Sequence, residues 1–193
     1  MSSPTVEHGE MLKRLESYLV DKTRVQVEFK YQCAVKEVVV FTDTDFAGCA
    51  TTRKSTSGGV IMYGRHLLNS WSTTQNVVAL SSGEAEYYGL VKGGAQSIGF
   101  KKMMEELGVK IGVKLKTDAS AAKGIATRRG MGKVRHIEVS QLWFQDKVAK
   151  GEIKVEKIDG VKNVVEQLAK YMTKESSIFH VEKTSQVIKE GKS

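Results

Sequence analysis

The segment Lys36-Glu-Val-Val-Val-Phe-Thr-Asp43 decides what fold to expect from this sequence. Its run of β-branched and aromatic residues is continuous rather than alternating, which is typical of a strand buried on both faces of a sheet. The strand ends on an aspartate, and a carboxylate on a buried strand is poorly tolerated unless it is paired or metal-bound. The segment therefore predicts a central strand that carries a candidate functional group at its carboxyl end.

The sequence around this strand predicts a mixed sheet with helices on its faces. Two β-rich stretches, 57–63 and 66–72, are joined by Gly64-Arg65 and predict an antiparallel meander with the first strand. Alternation predicts further strands at 114–118 and 152–158. Apolar residues at helical spacing predict helices over 81–107, 119–127, 137–148 and 164–172.

Composition limits the class of protein and of partner. The chain has 193 residues, of which 40% are hydrophobic and 27% charged, as in one ordinary soluble domain. It shows neither a membrane-length apolar run nor a signal sequence, and its two cysteines, Cys33 and Cys49, match no zinc or disulfide pattern. We expect an intracellular protein, cytoplasmic or nuclear, with no membrane partner. The formal charge of +8 favours a polyanionic partner, with solubility alone as the alternative.

Three acidic residues stand at the ends of predicted elements. Asp43 and Asp118 each end a strand, and Glu86 lies early in a helix. Strand ends are where α/β sheets build their sites, and grouped carboxylates repel one another unless divalent cations neutralise them. Oxygen-only ligation favours Mg²⁺ or Mn²⁺, a pair of which can catalyse phosphodiester hydrolysis. By position alone, the alternative of turn-forming aspartates and a glutamate at a helix dipole stays open.

A series of motifs within residues 36–174 resembles the ribonuclease H domain of copia-type LTR retrotransposon Pol polyproteins. The motifs include Phe41-Thr-Asp-Thr-Asp-Phe-Ala-Gly48, Asn69-Ser-Trp-Ser-Thr-Thr-Gln75, Ala79-Leu-Ser-Ser-Gly-Glu-Ala-Glu-Tyr87 and Lys116-Thr-Asp-Ala-Ser120. The resemblance implies an RNase H-like α/β fold: a five-stranded mixed sheet, with an antiparallel meander plus parallel strands, flanked by helices. It also implies metal-dependent endonucleolytic hydrolysis of the RNA strand of RNA–DNA hybrids.

The resemblance assigns the acidic residues to catalysis. Asp43, Glu86 and Asp118 take the places of three catalytic ligands to two Mg²⁺ ions, with Mn²⁺ as a second option. The fourth place, usually an aspartate, is held here by Glu166. Its extra methylene moves a ligand oxygen by about 1 Å, and misplacement of that order can cost about 100-fold in rate. Asp159 is a weaker candidate for this place.

Two features define an alternative function. They are the substitution at Glu166 and the loop Asp159-Gly-Val-Lys162, which lacks the histidine that many ribonucleases H carry there. The alternative is a catalytically impaired, non-enzymatic nucleic-acid-binding remnant of the domain. His136 lies elsewhere, and we assign it no catalytic role.

The resemblance also implies a division of the chain into domains and a set of binding partners. Residues 1–34, a predicted helix over 6–20 and an edge strand near 25–29, resemble a connection between reverse transcriptase and RNase H. We expect the RNase H domain over 35–175 and a polar C-terminal tail over 176–193. The expected partners are an RNA–DNA hybrid and a reverse transcriptase domain. Two basic clusters are predicted to contact the nucleic-acid backbone: Arg53, Lys54, Ser55 and Thr56, and Arg128, Arg129, Lys133 and Arg135.

Overall fold

The computed structural model describes residues 4–20, 24–132, 136–170 and 174–189. Within these ranges the strands are β1 (Arg24–Val27), β2 (Glu37–Asp45), β3 (Thr56–Tyr63), β4 (His66–Thr74), β5 (Gly112–Thr117), β6 (Ile153–Lys157) and β7 (Gln186–Lys189). The helices are α1 (Val6–Leu19), α2 (Ser82–Glu106), α3 (Ser120–Thr127), α4 (Trp143–Ala149), α5 (Glu166–Ala169) and α6 (Lys174–Lys183). Short 3₁₀ turns precede α4 at Val139–Gln141 and α5 at Gly160–Lys162.

The main sheet has five strands in the order β4-β3-β2-β5-β6. β2, β3 and β4 form an antiparallel meander, whereas β5 and β6 continue the sheet in parallel. β2 is central, and its Val38 and Val40 are fully buried. The predicted five-stranded mixed sheet of an RNase H-like fold, with its meander, is confirmed.

Hydrophobic clusters cover both faces of this sheet. The larger cluster joins Val40 and Ile61 to the buried side of α2 and to Phe144 of α4. The smaller one joins Val60 and Met62 to Val164 and Val165, just before α5. Because neighbouring residues of a strand point to opposite faces, β3 contributes Ile61 to one cluster and its two neighbours to the other. The helices therefore flank the sheet on both sides, as predicted.

Small residues let α2 approach β2 closely. A β-carbon on Gly89 would lie 2.8 Å from Oγ1 of Thr44, and one on Gly93 would lie 2.9 Å from Cγ2 of Thr42. Real side chains do not tolerate such short contacts, so these two positions, one helical turn apart, require glycine. The close approach brings the first turns of α2 against the carboxyl end of β2.

The chain termini differ from the predictions. The strand predicted near 25–29 does not lie at the edge of the main sheet, since β1 pairs with β7 in a separate two-stranded antiparallel sheet. The segment predicted to be a polar tail, 176–193, contains most of α6 and all of β7. Local pattern did not reveal β7, because it is only four residues long and its partner lies at the other end of the chain.

Two predicted helices are shorter than expected. The helix predicted over 137–148 begins with a 3₁₀ turn and becomes α-helical only in α4. Within the described part of the one predicted over 164–172, only the four residues of α5 are α-helical, and its last two positions, 171 and 172, lie outside the described residues. Within the part of the chain that is described, the helices are too short or too polar to cross a bilayer.

The close approach of α2 predicts opposite effects for two alanine substitutions in that helix. Gly93→Ala and Gly99→Ala gain the same helix propensity, about 0.5–1 kcal/mol. Gly99 has open space around its α-carbon, so its substitution should stabilise the protein. At Gly93 overpacking costs about 1–3 kcal/mol and should exceed the gain. Urea unfolding of both variants measures the difference, and equal effects would contradict the close approach.

Candidate active site

Strand register places Asp43 beside Asp118. β2 and β5 run parallel, and Phe41 pairs with Lys116. Asp43 and Asp118 each lie two residues beyond this pair, so they come to lie side by side. Asp43 is near the end of β2, and Asp118 is just after β5. Asp43 is 1% exposed, while Asp118 is half-buried. The predicted meeting of these two aspartates at one edge of the sheet is found in the structure.

α2 adds Glu86 to the two aspartates. Ser81 caps the helix by accepting a 3.2 Å hydrogen bond from the N–H of Glu84. One turn into the helix, Oε1 of Glu86 accepts a 3.2 Å hydrogen bond from the backbone N–H of Thr44, the residue after Asp43. Its other oxygen, Oε2, is buried and has no hydrogen-bond partner among the described residues. The backbone of β2 therefore binds Oε1 of Glu86, and Oε2 stays available to a ligand.

The three carboxylates form a compact group. Asp43, Glu86 and Asp118 each offer an oxygen within 4.8 Å of the others, and among the described residues this is the one such group that can hold a metal ion. Burial, and then the negative charges of Asp43 and Asp118, raise the pKa of Glu86 to about 8. Burial and the charge of Asp43 also raise the pKa of Asp118. The group thus concentrates negative charge that a cation would stabilise.

Lys170, which the sequence analysis did not single out, brings a positive charge to this group. Its Nζ lies 3.2 Å from Oδ2 and 3.3 Å from Oδ1 of Asp43. It directly follows α5, four residues after Glu166. A lysine close to a helix end is ordinarily interpreted as a partner of the helix dipole, so no sequence signal distinguished it.

The residues present fit a hard divalent cation. Oxygen ligands without histidine or cysteine are what Mg²⁺ and Mn²⁺ prefer. A buried carboxylate oxygen without a hydrogen-bond donor, as at Oε2 of Glu86, costs free energy that coordination to a cation would recover. The donor set and the unpaired oxygen therefore both match a metal site of this kind.

The fourth predicted ligand, Glu166, is only partly described. Its backbone begins α5, but its side chain lies outside the described side chains, so its role as a ligand stays a prediction. The start of this region is anchored by Asn163, which is 1% exposed and whose Nδ2 donates a 3.0 Å hydrogen bond to the carbonyl of Thr42. Asn163 thereby ties the segment before α5 to the residue that precedes Asp43.

Glu84 does not belong to the carboxylate group. It is 1% exposed and accepts hydrogen bonds from the N–H of Leu80 and the hydroxyl of Tyr88, both 2.9 Å long. Its Oε2 also lies 2.6 Å from Nε2 of His136. Glu84 therefore ties the start of α2 to the loop before α4, and His136 contacts a structural carboxylate rather than the candidate site.

Two further acidic residues lie outside the group of three carboxylates. The carboxylate of Asp45 packs against the backbone of Gly48 in its own turn. Asp159, the weaker candidate for the fourth place, is exposed in the loop before α5.

The first basic cluster forms the turn between β2 and β3. Arg53 is exposed, and its N–H donates a 2.7 Å hydrogen bond to the carbonyl of Cys49. Lys54 and Thr56 are half-buried, whereas Ser55 is fully buried and its hydroxyl accepts a hydrogen bond from the N–H of Ala47. The hydroxyl of Ser55 thus stabilises the turn itself, and Arg53 is the most exposed member of the cluster.

The second basic cluster follows α3. Arg128 folds back and donates to the carbonyl of Met131, while Arg129 is exposed. Gln145 of α4 holds this loop, accepting a 2.9 Å hydrogen bond from the N–H of Gly130 and donating to its carbonyl. Lys133 and Arg135 lie outside the described residues. Binding of nucleic acid by either cluster stays a prediction.

Comparison with known proteins agrees with the motifs. The chain is 29% identical over 172 residues to a retrovirus-related Pol polyprotein from transposon TNT 1-94 of Nicotiana tabacum, covering 88% of this chain. It is 26% identical over 177 residues to the corresponding polyprotein from transposon RE1 of Arabidopsis thaliana, covering 90% of this chain. The chain spans only 13% and 12% of the length of these two relatives. The predicted resemblance to retrotransposon Pol polyproteins is confirmed.

A solved structure and the family models complete the comparison. The structure of an RNase H1 isolated from compost, LC11-RNase H1, matches 70% of this chain and 96% of its own, with 15% identity and a TM-score of 0.47. No family model matches the chain.

The raised pKa of Glu86 predicts how the stability of the metal-free protein depends on pH. The carboxyl ionises near 4.5 in the unfolded chain but near 8 in the folded one, so the folded state binds the extra proton between these values. Stability should therefore fall as pH rises from 4.5 to 8, by up to about 1.4 kcal/mol per pH unit. Glu86→Gln, which cannot ionise, should remove most of this slope in thermal unfolding with EDTA.

The exposed Glu105 provides the matched control for this measurement. Glu105→Gln makes the same chemical change on the same helix, but far from the three carboxylates of the candidate site. It should leave the pH dependence of stability unchanged. A wild-type unfolding midpoint that stays constant or rises over this pH range would contradict the raised pKa of Glu86.

Proposed function

We propose that this chain is a ribonuclease H domain that hydrolyses the RNA strand of RNA–DNA hybrids endonucleolytically, with two Mg²⁺ ions or, alternatively, Mn²⁺. The observation that carries the proposal is the convergence of Asp43, Glu86 and Asp118 within 4.8 Å. They meet at the carboxyl ends of adjacent parallel strands of an RNase H-like sheet. The similarity to transposon Pol polyproteins over about nine tenths of the chain supports it.

Each carboxylate has a distinct position in the proposed site. Asp43 lies between the other two elements, on the central strand, and is suited to contact both ions. Glu86 offers the oxygen that Thr44 leaves unpaired, and Asp118 approaches from β5. Glu166 is proposed as the fourth ligand. When bound, the ions would supply an activated water and neutralise charge on the scissile phosphate.

The protein's own contribution is to hold these groups in place before substrate arrives. The Thr44 N–H fixes Glu86, and Asn163 fixes the segment that leads to Glu166. We propose that the two basic clusters, through the exposed Arg53 and Arg129, contact the backbone of the nucleic-acid substrate. A hybrid is recognised through its phosphates and 2′-hydroxyls rather than through its base sequence. The net charge of +8 supports a polyanionic substrate.

A reverse transcriptase domain is the proposed protein partner. α1 has no buried residue, and the side chains of its apolar stripe are about half exposed: Met11, Leu12, Leu15, Tyr18 and Leu19. A half-exposed apolar stripe of this kind is typical of a helix that packs against another domain. The curated relatives are far longer than this chain, which supports a neighbouring domain in the same polyprotein.

Cleavage of a labelled RNA–DNA hybrid tests the function. The wild type should cut the RNA strand in Mg²⁺ and leave the DNA strand and a DNA duplex intact. Asp43→Asn should lower the rate at least about 100-fold, because it removes the charge of the central ligand. Asp146→Asn, the same change at an exposed site on α4, should have no effect. A hybrid that stays intact in both Mg²⁺ and Mn²⁺ would overturn the proposal.

Glu166 distinguishes the enzyme from a nucleic-acid-binding remnant. Shortening this side chain by one methylene, in Glu166→Asp, should raise the cleavage rate, because a displacement of about 1 Å is enough to cost about 100-fold. If the wild type binds hybrid in a salt-dependent way but cleaves it only after this substitution, the remnant is the correct description of the natural chain. A lower cleavage rate in the variant would show that the site is adapted to glutamate.

A further inference from the structure

Lys170 occupies a particular position relative to the candidate metal site. Its Nζ lies within 3.3 Å of both carboxylate oxygens of Asp43, whose side chain is 2% exposed. The lysine side chain itself is 40% exposed. Asp43 is therefore the buried member of this ion pair, and Lys170 reaches it from the protein surface.

This contact uses the same atoms as the proposed metal site. The oxygens of Asp43 that a divalent cation would coordinate are the oxygens that Lys170 contacts. An ammonium group in such contact and a divalent cation on the same carboxylate repel each other strongly. The two cations therefore compete for Asp43.

Lys170 is the member of the ion pair that can move. Its charge sits on a flexible four-carbon stem with three rotatable donors, and its partly exposed side chain has solvent to move into. Asp43 cannot move in the same way, because it is buried on the central strand between β3 and β5. The mobile partner of the pair is thus Lys170.

We propose that Lys170 is the counter-cation of the carboxylate group in the metal-free protein, and that binding of a divalent cation displaces it from Asp43. The lysine stabilises the buried charge of Asp43 until metal arrives, and it lowers the affinity for that metal. It is a positioning residue for the ligands. This inference rests on the proposed function, since it requires that the carboxylate group binds a divalent cation.

Three variants separate the charge of Lys170 from its bulk. Lys170→Met keeps the length of the side chain and removes the charge, whereas Lys170→Arg keeps the charge. Lys147→Met is the matched control, because Lys147 forms an ion pair with Glu152 outside the site, at 2.7 Å. The control changes the net charge of the protein by the same amount.

The variants are compared by Mn²⁺ titration calorimetry and by thermal unfolding in EDTA. Lys170→Met should bind Mn²⁺ about tenfold more tightly, because the metal no longer has to break the ion pair between Lys170 and Asp43. In EDTA its unfolding midpoint should fall below that of Lys147→Met. Lys170→Arg should restore the wild-type midpoint.

A measurement on the wild type alone does not depend on how the variants fold. Labelling with an amine-reactive reagent, followed by mass spectrometry, reports the accessibility of Lys170 with EDTA and with Mg²⁺. Its labelling rate relative to Lys147 should rise several-fold when Mg²⁺ is added, because the ammonium group leaves Asp43.

The outcomes separate this inference from the proposed function. If the wild type and Lys170→Met bind Mn²⁺ equally well and Mg²⁺ leaves the labelling rate unchanged, the role of Lys170 is overturned and the metal site stands. If neither protein binds Mn²⁺, the metal site and the role of Lys170 both fail. If only Lys170→Met binds, the competition is confirmed in its strongest form.

Discussion

Burial and mutual repulsion of three carboxyl groups are together the constraint on which the site depends. Asp43, Glu86 and Asp118 are brought within 4.8 Å of one another although burial and proximity raise the pKa values of Glu86 and Asp118. Nothing about folding alone favours that arrangement. It persists because rigid elements hold the ligands: the parallel register of β2 and β5, and the Thr44 N–H on Glu86. Strain of this kind, held by the surrounding fold, is typical of a site prepared for a ligand of opposite charge.

The contact between α2 and β2 determines the geometry of the site. Gly89 and Gly93 allow the helix to lie against Thr44 and Thr42, and this sets how far Glu86 stands from Asp43. On the other face, Asn163 ties the segment before α5 to the carbonyl of Thr42. β2 is therefore contacted by α2 and by the segment before α5 next to its aspartate.

The sequence predicted the parts of this arrangement that depend on local pattern. The continuous apolar run before Asp43 marked the central strand, and the ends of this strand and of the alternating strand predicted over 114–118 marked the two aspartates. Glu84 and Glu86 could not be separated by pattern alone, since both lie in the first turns of one helix; the motif resemblance chose Glu86, and the structure turns Glu84 towards Tyr88 and His136. The pairing of β1 with β7 and the contact of Lys170 with Asp43 link residues more than 100 positions apart, and short or single-residue signals do not encode such contacts.

Anomalous diffraction from crystals grown with Mn²⁺ would show whether the carboxylate group is a divalent-metal site. We expect anomalous peaks in bonding contact with Asp43, Glu86 and Asp118, together with a Lys170 side chain moved away from Asp43. The same data would show whether Glu166 reaches the metal. Crystals that contain Mn²⁺ elsewhere or not at all, with Lys170 still in contact with Asp43, would contradict the claim.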